Sequence, residues 1–210
     1  MQSQQKYWDD AHAKRQLQDY SKTQTSFAEE TNSIIPSGSH ILELGCGEGN
    51  DSIYLAQQGH AVIATDFSDV VIAGDQQSLT HPKLQFSVQD ISQPLNYSTN
   101  SFDVVYARLS LHYFTSEQTE KIFSEIARVL KPNGYLCFMC KSVNDRLYGQ
   151  GKKIEDNMYE LAGHVRHFFS EKLTRELLAK NGFTVISLEH GKDKLYARES
   201  AFIKVIAQKQ

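Results

Sequence analysis

The stretch ILELGCGEGN, residues 41–50, decides how this sequence is interpreted. Apolar residues typical of a buried strand run into three glycines, Gly45, Gly47 and Gly49. The pattern nearly matches the G-x-G-x-x-G turn that binds dinucleotides, but the third glycine comes one residue early. The first question is therefore whether the loop is built for a dinucleotide or for another ligand.

The composition is that of an ordinary globular protein. The chain has 210 residues, a net charge of −3 and 40% hydrophobic residues, which predicts one domain over residues 1–210. Three cysteines fit a reducing compartment better than a disulfide scaffold. The first residues lack the apolar core of a signal peptide, and no apolar run is long enough to span a bilayer. We therefore expect a cytoplasmic protein with no membrane partner.

Strand and helix patterns alternate along most of the chain. This alternation predicts parallel strands joined by right-handed crossovers, in a sheet covered on both faces. The last two strands have no helix between them and should be antiparallel. The helix that follows the glycine loop should be capped by Asn50 or Asp51 and end at Gly59. The next helix along the chain should be capped by Ser68. The predicted strands are HILELG, HAVIATD, KLQFSVQD, SFDVVYAR, YLCFMCK, FTVISLEHG and AFIKVIAQ.

Two segments depart from this alternation. Residues 1–33 are polar, with apolar residues at helical spacing, which predicts an amino-terminal helical segment. Residues 142–169 are rich in Lys, Arg, His, Tyr and Gly and show no sustained period. We interpret residues 142–169 as a lid-like insertion.

Acidic residues surround the glycine loop. Asp66 and Asp90 end two predicted strands, at the sheet edge where α/β proteins bind ligands. Glu43 lies just before the loop, Glu48 lies in it, and Asp51 lies in the first turn of the helix that follows. A diphosphate at that helix terminus would be repelled by these carboxylates, so the residues disfavour a dinucleotide.

Five motifs then occur in a familiar order and spacing: ILELGCGEG, VIATDFS, FSVQDI, FDVVYARLSLHYF and LKPNGYL. Over residues 41–135 the sequence resembles the class I S-adenosylmethionine-dependent methyltransferases. It looks most like their small-molecule branch, which includes tellurite-resistance and thiopurine methyltransferases. The resemblance implies an α/β fold, a Rossmann-like three-layer sandwich with a mostly parallel seven-stranded sheet whose last strand is antiparallel.

The resemblance also implies S-adenosyl-L-methionine as the cofactor, whose positive charges tolerate an acidic loop. Gly45 and Gly47 would let the backbone approach the methionine portion without a Cβ clash. Asp66 would accept hydrogen bonds from both ribose hydroxyls, and Asp90 would accept one from the adenine amine. The other residues implied for the cofactor site are Glu43, Cys46, Phe67, Ile91, Ala107 and Arg108.

These assignments have structural alternatives. Asp66 could merely cap the following helix, and Asp90 could merely begin a turn. Glu43 could orient the loop without touching a ligand. The C-x-x-C pair Cys137 and Cys140 could suggest metal or redox chemistry, but an odd separation within a strand points the two side chains to opposite faces. We therefore predict no metal site and two buried packing residues.

His112 and Tyr113, just after the fourth strand, are the best-placed residues to contact or deprotonate a methyl acceptor. Methyl transfer needs a lone pair in line with the methyl–sulfonium bond, and a base helps only if the acceptor starts protonated. His112 could titrate near neutral pH. The alternative is that the LHYF segment simply packs against the sheet edge.

The insertion supplies the candidate acceptor-binding residues. Arg146 or Arg166 would bind an anionic acceptor through two parallel hydrogen bonds. Tyr148 and His167 lie near them in sequence and are included in the predicted site. The alternative for any one of these residues is a solvated side chain that faces water.

The sequence therefore predicts a methyltransferase that moves a methyl group from S-adenosylmethionine to a small-molecule acceptor by in-line displacement. Nucleic acid is an improbable acceptor, because the chain is acidic and lacks the N/D-P-P-Y pattern of many nucleobase amino-methyltransferases. Two alternatives stay open: a nicotinamide-dependent oxidoreductase, and an S-adenosylmethionine-binding module without catalysis.

Overall fold

The computed structural model describes Trp8, residues 23–195 and residues 198–210. The helices are α1 (Ser26–Ile34), α2 (Asn50–Gln57), α3 (Asp69–Ser78), α4 (Ser116–Val129) and α5 (Glu171–Lys180), with a 3₁₀ turn at Leu111–Tyr113. The strands are β1 (His40–Leu44), β2 (Ala61–Asp66), β3 (Leu84–Val88), β4 (Phe102–Arg108), β5 (Leu130–Lys141), β6 (Lys152–Glu155), β7 (Met158–Leu161), β8 (His164–His167), β9 (Phe183–Leu195) and β10 (Arg198–Lys209).

Seven of these strands form one sheet in the order β3-β2-β1-β4-β5-β10-β9. Strands β1 to β5 are parallel, and β10 is antiparallel to both of its neighbours. The predicted mostly parallel sheet with an antiparallel last strand is confirmed. Strand order reverses between β1 and β4, so their carboxyl ends flank the crevice where open α/β sheets bind ligands.

Helices cover both faces of this sheet. On one face, Phe123 of α4 and Leu178 of α5 pack in a large core cluster. On the other face, Phe27 of α1 and Leu55 of α2 pack in a second cluster. All four side chains are at most 1% exposed. The three-layer arrangement inferred from the alternation of strands and helices is therefore present.

The two cysteines of β5 mark the two faces. Cys140 packs in the cluster with α4 and α5, and Cys137 packs in the cluster with α1 and α2. Both are fully buried, and burial raises the pKa of the Cys137 thiol to about 12. The prediction of two packing residues on opposite faces is confirmed.

The ends of the helices differ in part from the prediction. Ser68 caps α3 as predicted, because its hydroxyl accepts a hydrogen bond from the amide of Val71. The cap predicted for α2 is wrong: the position before the helix is Gly49, with φ +67° and no side-chain cap. Asp51 lies within α2, and its carboxylate bonds α1 instead, at the amide and hydroxyl of Thr25.

The insertion contains a small antiparallel sheet, β6-β7-β8, that the sequence pattern did not predict. Each of its strands has only four residues, too few to show a period. Glu155 of β6 accepts a hydrogen bond from the amide of Ser116 at 2.6 Å, so the insertion is attached to the start of α4. Of the predicted segment 1–33, α1 supports a helical part, while Tyr7 and most residues before 23 lie outside the described residues.

Candidate functional site

The glycine loop is pressed against the segment that follows β4. Gly45 has φ +78°, a conformation that favours glycine, and a Cβ added there would collide with the side chain of Ser110. The Ser110 hydroxyl donates to the carbonyl of Leu44. The amides of Gly45 and Cys46 both donate to the carbonyl of Thr65 at 2.8 Å. The loop is therefore fixed between β2 and β4, over the crevice.

Asp66 ties the end of β2 to this loop. One carboxylate oxygen accepts from the amide of Gly47 at 3.1 Å, and the other accepts from the amide of Ser68 at 3.1 Å. The side chain is only 6% exposed. Because Ser68 itself caps α3, helix capping does not account for the bond to Gly47. The structure thus brings the predicted ribose-binding carboxylate to the predicted methionine-binding glycine.

Two further carboxylates lie beneath the loop. Glu43 accepts a hydrogen bond from the hydroxyl of Ser52 at 2.6 Å, and burial, reinforced by the charge of Asp51, raises the pKa of Glu43 to about 8. Asp51 also accepts from the hydroxyl of Tyr106 at 2.8 Å. Glu43 therefore orients α2 through Ser52, which is the alternative considered for it, although the contact is to a side chain and not to the loop amides.

Asp75 of α3 is a site residue that the sequence reasoning missed. It is 7% exposed, and burial, followed by the charges of Asp66 and Glu48, raises its pKa to about 8. In the part of the chain that the structure describes, one oxygen of Asp75 and one of Glu48 are buried without a hydrogen-bond partner. A signal was available: Val71 and Ile72 precede Asp75 at helical spacing and are buried on the same face.

The residues present fit S-adenosylmethionine. The close contact of Gly45 with Ser110 leaves no room for a side chain at position 45. The buried oxygens of Glu48 and Asp75 that lack partners suit a ligand with positive charges. The Cys46 thiol is held uncharged, because burial and the charges of Glu43 and Asp66 raise its pKa well above the usual value. A diphosphate would meet this acidic loop unfavourably.

The predicted adenine side of the site is less constrained by contacts. Asp90 is half-buried and accepts a hydrogen bond from the amide of Ser92 at 2.8 Å, so it does begin a turn. Ile91 packs against the core cluster next to it, and Phe67 is half-buried. The turn does not exclude an adenine contact by the second oxygen of Asp90, and the roles of Asp90, Ile91 and Phe67 stay predictions.

The segment after β4 is strained. Leu109 has φ +58°, a conformation that is rare for a bulky residue and concentrated at functional sites. Its amide donates to the carbonyl of Met139 at 2.8 Å. Ala107 is fully buried and is paired with Phe138 of β5, so its contact with the cofactor stays a prediction. Arg108 is half-buried, and its charge acts on Glu43 beneath the loop.

His112 lies two residues after Ser110, in a buried cluster of imidazoles. It is fully buried, and neither ring nitrogen has a hydrogen-bond partner among the described residues. Burial, followed by the charges of Lys141 and Arg166, holds the pKa of His112 well below its usual range. The expectation that His112 titrates near neutral pH is therefore wrong: burial keeps the imidazole uncharged there.

The small sheet of the insertion closes this cluster. His164 and His167 of β8 are each 2% exposed and act on His112. The ring of Tyr113 lies 4.3 Å from that of His112 and 5.2 Å from that of His164, centroid to centroid. Trp8 contacts Tyr113 and His164, each at 5.5 Å. No three acidic, cysteine or histidine side chains of the described chain are arranged to hold a metal ion.

Not all of the predicted acceptor residues converge on this cluster. Arg166 and His167 both lower the pKa of His112 electrostatically. Arg146 is exposed, and Tyr148 is 38% exposed and donates a hydrogen bond to Asn157 at 2.8 Å. The structure therefore brings together His112, Tyr113, Arg166 and His167, and leaves Arg146 and Tyr148 at the surface. Lys141 and His164, which the sequence reasoning did not single out, join them.

Comparison with known proteins agrees with this geometry. Residues 42–138 match a family model described as a methyltransferase domain. The chain is 35% identical over 112 residues to phosphoethanolamine N-methyltransferase 1 of Triticum aestivum, which covers 51% of this chain and 22% of that protein. The chain spans less than half the length of the first curated relatives it matches.

Two solved structures share the fold. An S-adenosylmethionine-dependent methyltransferase from Methanosarcina mazei superposes with a TM-score of 0.77 at 23% identity, over 86% of this chain and 96% of that one. A TehB-like S-adenosylmethionine-dependent methyltransferase from Corynebacterium glutamicum gives 0.68 at 20% identity, over 96% and 97%. These comparisons show that residues 42–138 resemble a methyltransferase domain and that the chain shares the fold of solved S-adenosylmethionine-dependent methyltransferases.

Proposed function

We propose that the protein transfers the methyl group of S-adenosylmethionine to a small-molecule acceptor by in-line displacement. One observation supports this most: a single short segment touches both halves of the site. Ser110 contacts Gly45 of the cofactor loop, and His112, two residues later, lies in the buried imidazole cluster. A methyl donor in the loop would therefore face an acceptor in the cluster.

The cofactor supplies a methyl group on a positively charged sulfonium, and the chain holds it in place. Asp66 accepts hydrogen bonds at the end of β2. The family resemblance implies that the ribose hydroxyls of the cofactor bind at this position. Gly45 and Gly47, both with positive φ, leave the backbone without a side chain at the two positions implied for the methionine portion. Much of the rate comes from this positioning, since reacting atoms held in line need little further catalysis.

His112 provides the chemistry that a protonated acceptor would need. The imidazole of His112 is uncharged at neutral pH, because burial lowers its pKa. One of its ring nitrogens could therefore take the proton from the methyl acceptor as the bond to the methyl group forms. An acceptor with a free lone pair would need only the hydrogen bond. Tyr113 packs on this ring and would fix its orientation.

The acceptor is proposed to be small because the insertion covers the cluster. His164 and His167 are nearly inaccessible, which leaves no open surface for a macromolecule at His112. The wheat relative, named for phosphoethanolamine, is consistent with a small acceptor. Among the described residues, no helix is apolar and long enough to serve as a membrane span. A cytoplasmic location stays a prediction.

Calorimetry tests the cofactor half of this proposal. We expect S-adenosylhomocysteine to bind and NADH not to bind. Asp66→Asn should weaken the binding of S-adenosylhomocysteine by about tenfold or more. The substitution replaces a charge-assisted hydrogen bond with a neutral one. Asp69→Asn, at an exposed acid in the first turn of α3, is the matched control. Tight NADH binding without a response to the homocysteine product would refute the proposal.

Turnover separates an enzyme from a non-catalytic binding module. Transfer of labelled methyl groups from S-adenosylmethionine into a metabolite extract should occur with the wild-type protein and fall sharply with His112→Asn. A protein that binds the cofactor but labels nothing in the extract would be assigned to the binding-module alternative.

A further inference from the structure

We propose that the acceptor is an anion, bearing a carboxylate or phosphate group, and that Arg166 binds that group beside His112. The inference rests on the proposed function for the position of the methyl donor. It rests for the acceptor's charge on the buried cluster itself, which we define as His112, His164, His167, Lys141 and Arg166.

The first argument is the unmet hydrogen-bonding capacity of the cluster. Both ring nitrogens of His112 and the Nδ1 atom of His167 are buried without a partner among the described residues. A buried polar group without a hydrogen-bond partner is destabilising, so native proteins rarely contain several together. A ligand with oxygen atoms between these rings would satisfy them.

The second argument is the charge that faces His112. Arg166 follows His164 by two residues on β8, so both side chains leave the same face of that strand, and the His164 ring contacts that of Tyr113, next to His112. The charged groups that lower the pKa of His112 are Lys141, Arg166, His164 and His167, and none is acidic. Lys141 is neutralised locally, since its ammonium bonds the carboxylate of Asp145 at 2.9 Å. Arg166 is half-buried and forms no ion pair with a carboxylate of the described residues. Its charge is thus available to a ligand.

The third argument is the position of Glu155, a carboxylate on β6 whose charge raises the pKa of His167. This carboxylate is committed to the amide of Ser116 at 2.6 Å. It therefore anchors the insertion at the amino end of α4, where the helix dipole favours negative charge. A cationic acceptor would meet Arg166 without compensation, whereas an anion would gain a charge-assisted, bidentate contact.

Chemical shifts of labelled histidine rings test the pocket without any turnover. Protein saturated with S-adenosylhomocysteine would be titrated with acetate and inorganic phosphate, with acetamide as the neutral match of acetate and sodium chloride as the ionic-strength control. His112→Asn identifies the ring signal of that residue. We expect the anions to shift the His112 signal and acetamide and chloride to leave it in place. Equal shifts from acetate and acetamide, or none from any anion, would overturn the proposal.

Variants assign the anion contact to Arg166. Arg166→Gln should weaken the anion titration by about tenfold or more, the fold-change expected for losing one charge-assisted contact. Arg166→Lys, which keeps the charge, should recover part of it and shows that the insertion still folds. Lys152→Gln, at an exposed lysine of the same insertion, should leave it unchanged. Wild-type affinity in Arg166→Gln would contradict the assignment.

A turnover experiment separates this inference from the proposed function. A metabolite extract split on an anion exchanger would be offered with labelled S-adenosylmethionine. Label should enter the retained, anionic fraction and not the flow-through, and Arg166→Gln should lose it. Label in the flow-through would overturn the anionic acceptor while upholding methyl transfer. Label in neither fraction would count against methyl transfer, and the titrations would then decide the pocket alone.

Discussion

Gly45 and Ser110 lie so close together that a Cβ at position 45 would collide with the Cβ of Ser110, in the segment after β4. The contact joins a backbone turn with φ +78° to the residue that precedes the 3₁₀ turn of His112. If the proposed cofactor loop and the cluster around His112 form one site, a change at Gly45 should therefore also affect the segment that carries His112.

Gly45→Ala should displace the loop and abolish measurable binding of S-adenosylhomocysteine in calorimetry, while Gly38→Ala should bind it normally. Both glycines have positive φ, +78° and +74°, but a Cβ at Gly38 meets nothing within 4 Å. The two variants therefore share a backbone strain of about 1–2 kcal/mol and differ in the collision with Ser110. Equal affinity in the two variants would show that the contact is unimportant.

The buried imidazoles should make an increasingly unfavourable contribution to stability as the pH drops from about 6.5 towards 4. Burial lowers the pKa of His164 to about 4 from 6.5, and burial likewise lowers those of His112 and His167. Below pH 6.5 these imidazoles bind protons in the unfolded chain but not in the folded chain. Their contribution to the free energy of unfolding therefore decreases as the pH falls. Urea unfolding at a series of pH values measures it.

The same titration has a matched pair of variants. His164→Gln should reduce the slope of the free energy of unfolding between pH 6.5 and 4 by up to about 1.4 kcal/mol per pH unit. His81→Gln, outside the cluster, should leave that slope as in the wild type. An unchanged slope in His164→Gln would mean that this imidazole protonates freely in the folded protein.

Asp75→Asn should gain stability relative to the wild type as the pH rises from about 4 to 8. Burial raises the pKa of Asp75 to about 8, so its favourable neutral form is lost as the pH rises through that value, while the unfolded carboxyl ionises near 3.8. The difference in free energy of unfolding should grow with pH and level off above 8. Chemical denaturation of the cofactor-free protein at several pH values checks it, and a constant difference would argue against a neutral Asp75.

Lys141→Met should destabilise the protein by about 3–5 kcal/mol, because it leaves the buried carboxylate of Asp145 without its cation. Lys131→Met, at the more exposed pair with Asp103, should cost less than about 1 kcal/mol. The double change Lys141→Met with Asp145→Asn should recover part of the loss. A double variant as unstable as the sum of its two single changes would indicate no coupling between the two side chains.

The parts of the fold with a long, regular pattern were predictable. The apolar spacing of α4 and the Ser68 cap of α3 appear as expected, because local chemistry alone determines them. The amino-terminal cap of α2 was not predictable in this way. Asn50 and Asp51 are both good capping residues, but Gly49, in the αL conformation, is the residue at the cap position. Asp51 serves a contact to Thr25 that no local rule encodes.

The candidate site divides in the same way. Asp66 and Gly47 come from one contiguous motif, and the structure joins them directly. The proposed acceptor site depends on which residues of the insertion pack near His112, and strands of four residues carry too little periodicity to predict this. Arg166 and His167 lower the pKa of His112 electrostatically, whereas Arg146 stays at the surface. The position of Arg166 and His167 beside Phe168 and Phe169, where the regular pattern resumes, already favoured these two residues over Arg146.

The position of β10 between β5 and β9 has a consequence for how the protein is made. Strand β9 has β10 as its neighbour in the large sheet and does not pair with β5. During synthesis on the ribosome, β9 therefore emerges before the strand that connects it to the rest. Until β10 is released, β5 presents an unpaired edge, which is a surface prone to association with other chains.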